Sequence, residues 1–251
     1  MDKLHIAIQA AQLGAKNAQK YFNTHLKIEL KEDLTPVTVA DKDTETVIKN
    51  YISSQIPDAK FVGEEFGGSY DHDTYWLIDP IDGTAFFARG IPLWGTLITY
   101  IEHGKAIIGV SYIPFFEELL YAEKGKGAFL NEKPVHVSER KTIQEAFVSH
   151  GSIHKIVDKV PGFIELSKKV HKMKGIGDSY GYHLLAQGKI EAKFDGAAMP
   201  FDVLGLNLVI EEAGGKVTNF QGKHSKLTDN DVLATNGLIH DETVKIINRI
   251  F

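Results

Sequence analysis

The sequence predicts an α+β fold, and three observations predict it. Residues 4–22 carry apolar side chains at helical spacing, residues 75–122 break into short β-rich runs between glycine or proline turns, and the remainder alternates helical with extended segments. Hairpin-like spacing in the middle of the chain favours antiparallel pairing there.

Taken in order, Leu4, Ala7, Ile8, Ala11, Ala15, Ala18 and Phe22 form one face of an amphipathic opening helix, with no continuous apolar run of the secretory type. A second helix is predicted over 41–54, with Val47, Ile48, Tyr51 and Ile52 as its apolar stripe and Pro57 just beyond its end. Strands are predicted at 75–78, 96–101, 106–113 and 118–122, separated by turns such as His103-Gly104-Lys105. Helices follow at 162–170, 180–187, 203–213 and 240–250, and strands at 190–194 and 232–234. No internal repeat or low-complexity tract interrupts the chain, so residues 1–251 read as a single unit. A subdivision would fall near 137–145, giving parts 1–140 and 141–251, and the charged stretch 138–141 reads as a solvated turn.

Composition narrows the function. A 251-residue chain that is 43% hydrophobic can bury a substantial core. Its net charge of -5 argues against a partner held by bulk positive charge, such as nucleic acid or an anionic membrane, and leaves a small molecule as the expected partner. Having no cysteine, the chain has no disulfides, thiolate metal sites or cysteine nucleophile, and the cytoplasm is the expected compartment. The longest apolar stretch, 91–101, is broken by Pro92 and Gly95 and falls well short of the roughly 20 residues that span a bilayer.

The chemistry concentrates at Trp76-Leu77-Ile78-Asp79-Pro80-Ile81-Asp82-Gly83-Thr84, where an apolar strand runs into two carboxylates. Pro80 turns the chain after Asp79, so Asp79, the Ile81 carbonyl and Asp82 can converge on one point, and such an all-oxygen set suits a hard cation such as Mg²⁺. Gly83 lets backbone approach a ligand, and the turn at Gly83-Thr84-Ala85 can aim N–H groups at an anion. Glu64, after Phe61-Val62-Gly63, and Asp202, before the apolar run from Val203, each sit at the end of an apolar element. Taken singly, Asp202 reads equally as a helix cap, and the Asp79/Asp82 pair as an Asx-type turn. Four such acids together favour the metal reading.

In order along the chain, Gly63-Glu64-Glu65, the segment from Trp76 to Thr84, Phe201-Asp202 and Glu211-Glu212-Ala213-Gly214-Gly215 resemble the signatures of the inositol monophosphatase superfamily of Mg²⁺-dependent, lithium-sensitive phosphatases. Thr35-Pro36-Val37-Thr38-Val39-Ala40-Asp41 looks like that family's upstream Asp-bearing motif, and the resemblance extends over essentially the whole chain. It implies a layered α-β-α-β-α sandwich, often a homodimer. It makes Glu64, Asp79 and the Ile81 carbonyl ligands of one Mg²⁺, and Asp79, Asp82 and Asp202 ligands of a second. It makes Thr84 and Glu64 the groups that orient the attacking water, Asp41 the group that holds Thr84, and the Gly83 and Thr84 N–H groups the phosphate holders. Counting charge supports two ions: four carboxylates carry -4, two Mg²⁺ cancel it, and a third, which the family can use, leaves the site positive for phosphate.

The resemblance also bears on substrate. Ala85 stands where relatives commonly carry a polar residue and Phe201 where many carry Trp, while the flanks from Ala85 to Ile98 and from Met199 to Leu204 are nearer the histidinol-phosphate phosphatase branch. Histidinol phosphate or inositol-1-phosphate is therefore expected, with a lean toward the amino-alcohol ester; fructose-1,6-bisphosphate and 3′-phosphoadenosine 5′-phosphate are the family's alternatives. Asp195, seven residues before Asp202, stands where the family places an acid that touches the alcohol, and otherwise reads as a surface Asp at a strand end. Arg89 reads as a solvated arginine or as a substrate contact supplied by a partner subunit. Two rivals come from other classes: a serine hydrolase built on Gly177-Asp178-Ser179-Tyr180-Gly181 with His224 or His240, and a non-catalytic phosphate-binding module. The first leaves too little chain after Ser179 for such a fold; the presence of both Glu64 and Thr84 disfavours the second. His150 and His154 read as solvated histidines, and Ser69 stands where a Walker loop at 63–68 would need Lys.

Overall fold

The protein is seen in a computed structural model that describes residues 2–24, 29–30, 36–37, 39–224, 227 and 229–249. Helix α1 (Lys3–Gln19) is capped by Asp2, whose side chain accepts the Leu4 N–H, and buries Ile6, Ala7, Ala10, Ala11 and Gly14. Helix α2 (Val39–Gln55) lies alongside it. A methyl on Gly14 would stand 2.6 Å from Ile48 Cδ1, so glycine sets how closely the helices cross. The opening helix stops at Gln19 rather than reaching Phe22, whose ring packs instead against Phe87, Trp94 and Phe115. Between the helices, β1 (Glu29–Leu30) pairs antiparallel with β2 (Pro36–Val37). Thr35 and Thr38 of the upstream motif lie outside the described residues.

A seven-stranded sheet follows: β3 (Phe61–Gly63), β4 (Thr74–Asp82), β5 (Gly95–Glu102), β6 (Lys105–Ile113), β7 (Glu118–Glu123), β8 (Ala128–Leu130) and β9 (Lys133–Val135), in that spatial order. Only the β3–β4 pair is parallel; the rest are antiparallel, as the turn spacing predicts. Short helix α3 (Thr84–Phe87) follows β4 directly. The second sheet has the order β11 (Lys172–Lys174), β10 (Phe147–His150), β12 (Ala192–Asp195), β14 (Val232–Thr235), β13 (Lys216–Thr218), and it mixes parallel with antiparallel pairs. Helices α4 (Ile153–Val157), α5 (Phe163–Lys169), α6 (Asp178–Ala186), α7 (Pro200–Glu212) and α8 (His240–Ile247) complete the chain, and Ile250, expected to end the last helix, is outside the described residues.

Alternating strand residues sort the core into three apolar layers. Trp76, Ile78, Ile98, Tyr100, Ile108 and Val110 pack one face of the first sheet on α1 and α2. Leu97, Leu120 and Ala122 pack its other face on Tyr182, Leu206, Val209 and Ile210 of α6 and α7, which in turn meet Val217, Val232 and Ala234 of the second sheet. Val148, Ala192, Phe194 and Leu233 cover the remaining face with Ile156, Phe163, Leu166 and Ile246 of α4, α5 and α8. The result is the α-β-α-β-α sandwich, with α6 and α7 as the middle layer. Helix α7 reads as apolar nearly all round because both its sides are covered.

Strands β1, β2, β8 and β9 were not expected, and neither were β10, β11 and β13 of the second sheet. Each is two to four residues long, so pairing with neighbouring strands rather than local pattern stabilises them. The stretch 138–141 is more than a solvated turn: Arg140 pairs with buried Glu191 at 2.9 Å, and the Asn236 amide donates to the Ser138 and Arg140 carbonyls. Among the described residues no helix is long and apolar enough to cross a membrane.

A carboxylate-walled candidate active site

Strand β4 was expected to end at Ile78, but it continues to Asp82, and its register with β5 shifts between Asp79 and Asp82. That irregularity matters. In a regular strand, residues three apart point to opposite faces, whereas an interrupted register lets both carboxylates serve one side. Local bonds hold it in place. Asp79 Oδ1 accepts the Ile81 N–H at 3.1 Å, and the Thr96 hydroxyl donates to the Pro80 carbonyl at 2.9 Å. The Asx turn weighed against a metal site is therefore present within the acid cluster itself.

Glu64 joins through the turn after β3, where its N–H donates to the Ile78 carbonyl at 3.0 Å. The turn is pinned by Glu45, whose Oε2 accepts the Glu65 N–H at 2.8 Å and whose Oε1 pairs with Lys49 at 3.3 Å. Asp202 arrives from α7. The helix begins at Pro200 rather than Val203, so Asp202 lies within the first turn; its Oδ2 accepts the Met199 N–H at 2.8 Å and caps the helix. The capping role and a ligand role are compatible, since a carboxylate has a second oxygen.

The electrostatics record how close these acids lie. Burial pushes the Asp79 carboxyl well above the usual range, and the charges of Glu64, Asp82 and Asp202 push it further. Burial likewise raises Asp82, to about 8, with Asp178 adding to the rise and the Ser179 N–H opposing it. Asp202 is raised by burial, against the Met199 N–H and with help from Asp82 and Glu64. Glu64 also hydrogen-bonds the Asp79 carboxyl. Carboxylates buried and crowded in this way carry charge that a divalent cation would neutralise, so this all-oxygen donor set fits Mg²⁺.

Beside the acids, Gly83 has φ +87° and opens α3. A side chain there would meet the Leu93 carbonyl at 2.9 Å and Asp178 Oδ2 at 3.1 Å, so glycine is required on both counts. Thr84 Oγ1 lies 3.0 Å from the Ile81 carbonyl and 3.4 Å from Oδ1 of Asp41, which is fully buried in the first turn of α2. Asp82, Asp202 and Asp195 line one cavity, together with Asp178, Ser179, Tyr182 and the Gly196-Ala197-Ala198 turn. Arg89 is not brought there; it is exposed and donates to the Ala85 carbonyl at 3.0 Å.

The Gly177–Gly181 segment does reach this site, in another role. The Ser179 N–H donates to Asp82 Oδ2 at 2.7 Å, while its hydroxyl is buried without a hydrogen-bond partner. The histidines offered to it lie elsewhere: His240 bonds Thr218 and Thr235, and His224 lines a different cavity with Glu211. Among the described residues no base reaches the Ser179 hydroxyl, which removes the serine-hydrolase reading. Glu45, Asp178, Tyr182 and Lys193 escaped sequence reasoning. Glu45 had a signal, since it stands one helical turn after Asp41; the others depend on contacts between separate elements.

Comparison with known proteins gives a concordant result. The family model described as inositol monophosphatase family matches residues 2–250. A fructose-1,6-bisphosphatase/inositol-1-monophosphatase of Thermotoga maritima is 34% identical, covering 85% of this chain and 83% of its own. A histidinol-phosphatase of Mycobacterium tuberculosis is 33% identical over 98% of each chain. Among solved structures, an IMPase of Thermotoga maritima superposes with a TM-score of 0.92 at 30% identity, covering 99% of this chain and 97% of that one.

Proposed function

The chain belongs to the inositol monophosphatase family and is a phosphoric monoester hydrolase, and from that premise we propose that it hydrolyses the phosphate ester of a small alcohol, histidinol phosphate or inositol-1-phosphate, using Mg²⁺. The observation that carries the reading is the convergence of Glu64, Asp79, Asp82 and Asp202 from three separate parts of the chain beside the Thr84–Asp41 contact. Glu64, Asp79 and the Ile81 carbonyl would hold one ion, and Asp79, Asp82 and Asp202 a second, with room in the scheme for a third. When bound, the ions neutralise the carboxylates and stabilise charge on the phosphoryl oxygens.

The chain's own groups supply orientation. Thr84 donates its hydroxyl proton to Asp41 or to the Ile81 carbonyl, which leaves an oxygen lone pair to accept from a water; Glu64 accepts that water's other proton. So held, the water attacks phosphorus in line, the ester P–O bond breaks, the proton that the water gives up passes to the leaving alkoxide oxygen, and alcohol and inorganic phosphate leave without a phosphoenzyme. The Gly83 and Thr84 N–H groups hold the phosphate, and Asp195 faces the alcohol. Inhibition by lithium, a homodimer and a cytoplasmic address belong to the same proposal.

A phosphate-release panel tests the reading: histidinol phosphate, inositol-1-phosphate, fructose-1,6-bisphosphate and 3′-phosphoadenosine 5′-phosphate, each with Mg²⁺. Release from at least one is expected, and release from none would sink it. Thr84 has its own test. A hydroxyl that orients water acts mainly in the transition state, so Thr84→Ala should lower kcat by about 100-fold while KM stays within about threefold. An unchanged kcat with a raised KM would assign Thr84 to binding alone.

A further inference from the structure

Lys193 has no solvent exposure, although it stands in the middle of a strand. Its neighbours Ala192 and Phe194 face α5 and α8, so the two-residue repeat turns Lys193 and Asp195 together toward α6 and the cavity. Its Nζ donates to Asp195 Oδ1 at 2.7 Å and lies 5.8 Å from the centre of the Tyr182 ring. The Tyr182 hydroxyl donates to the other oxygen, Oδ2, at 2.9 Å. Two glycines make the space. A methyl on Gly181 would stand 2.8 Å from Lys193 Cδ and Cε, and one on Gly151 would stand 2.6 Å from Asp195 Oδ1.

A lysine is almost never fully buried without a partner, and here the partner is a wall of the cavity that also contains Asp82 and Asp202. With phosphate at the Asp82–Asp202 end, the ester's alcohol extends along Asp195, Tyr182 and the Gly196 turn. Asp195 reaches the alcohol with its charge already answered by Lys193, whose field also reaches Asp178. An ammonium brought to Asp195 would meet a second cation immediately behind the carboxylate, whereas a hydroxyl would meet an oriented, electrically balanced acceptor.

We propose that Lys193 determines specificity by acting through Asp195: it balances the charge of the wall that meets the alcohol, and so selects esters of uncharged, hydroxyl-bearing alcohols over esters of cationic amino alcohols. This rests on the phosphatase reading above, names its substrate class, and runs against the amino-alcohol lean of the flanks around Arg89 and Pro200.

The test compares kcat/KM for inositol-1-phosphate and histidinol phosphate in the Mg²⁺-loaded parent, Lys193→Met and Asp195→Asn, with glycerol 2-phosphate hydrolysis by the parent as a control for the chemistry itself. The parent should favour inositol-1-phosphate. Removing the lysine should shift the ratio about tenfold toward histidinol phosphate, the difference between a charge-assisted and a neutral hydrogen bond. Asp195→Asn, which keeps side-chain volume and leaves the lysine's charge in place, should shift it the opposite way and carries the test if Lys193→Met does not fold. A structural role alone would weaken both esters equally and leave the ratio unmoved; that result, or a parent that favours histidinol phosphate, overturns the proposal. Absence of hydrolysis on all three esters, glycerol 2-phosphate included, would instead count against the phosphatase reading.

Discussion

Asp79→Asn is expected to lose at least about 1,000-fold in turnover, about 4 kcal/mol of transition-state stabilisation, while its metal-free form melts higher than the parent. The two effects have one cause. Asp79 lies at the centre of the acid cluster, raised first by burial and then by Glu64, Asp82 and Asp202, so the charge that would hold a cation is a liability without one. The amide side chain has nearly the same volume, can still accept the Ile81 N–H that closes the turn, and can donate to the neighbouring Glu64 carboxylate. Relief of one to two kcal/mol in a chain of this size corresponds to roughly 4 °C. The measurements are phosphate release at saturating Mg²⁺ and thermal unfolding in EDTA. A lower metal-free melting temperature would make Asp79 a structural residue, and retained turnover would remove it from the metal site.

Removal of metal should abolish hydrolysis, Mg²⁺ should restore it, and Ca²⁺ should restore it poorly because its coordination is larger and looser. The same experiment has a thermal counterpart whose pH dependence follows from Asp82. Its folded-state value of about 8 lies above the usual carboxylate range, so between about pH 4 and pH 8 the metal-free native state holds more protons than the unfolded chain. The stability supplied by that protonated carboxyl is complete below pH 4 and is lost as pH rises through 8, at up to about 1.4 kcal/mol per pH unit. Bound Mg²⁺ takes the place of the protons and removes the slope. The gap in melting temperature between the Mg²⁺-loaded and EDTA-treated protein should therefore widen from pH 5.5 to pH 7.5. Full activity in excess EDTA would refute the metal-dependent reading, and a gap that does not change with pH would mean that the acids are not protonated as their burial implies.

The portion of the site readable from sequence is the portion written in contiguous residues. Asp79, Pro80, Ile81, Asp82, Gly83 and Thr84 follow one another, and each has a local property legible in sequence: proline to turn, glycine for a positive φ, oxygen donors of the kind a hard cation takes. Glu64 and Asp202 were readable because each ends an apolar run, and the long helices and strands because their apolar periodicity extends over several turns or pleats. The positions of all four acids and the α+β class were thus determined before any contact was known.

What the tertiary structure alone decided is how those acids are brought together and what stands behind them. The strand runs on through Asp82 because Thr96, on the neighbouring strand, bonds the Pro80 carbonyl. Glu45 holds the Glu64 turn from another helix, and Ser179 donates to Asp82 across 97 residues of sequence. The unexpected strands β10, β11 and β13 owe their existence to partners in the second sheet. Lys193 looks in sequence like a surface residue in a short run, and only the meeting of β12 with α6 at Gly181, and with the Gly151 segment after β10, makes it a buried charge. A side chain's charge and hydrogen-bonding capacity are fixed by its own atoms, but its solvation and its partners depend on chain segments far away in sequence, and those determine whether a lysine is solvated or sets the charge of a binding wall.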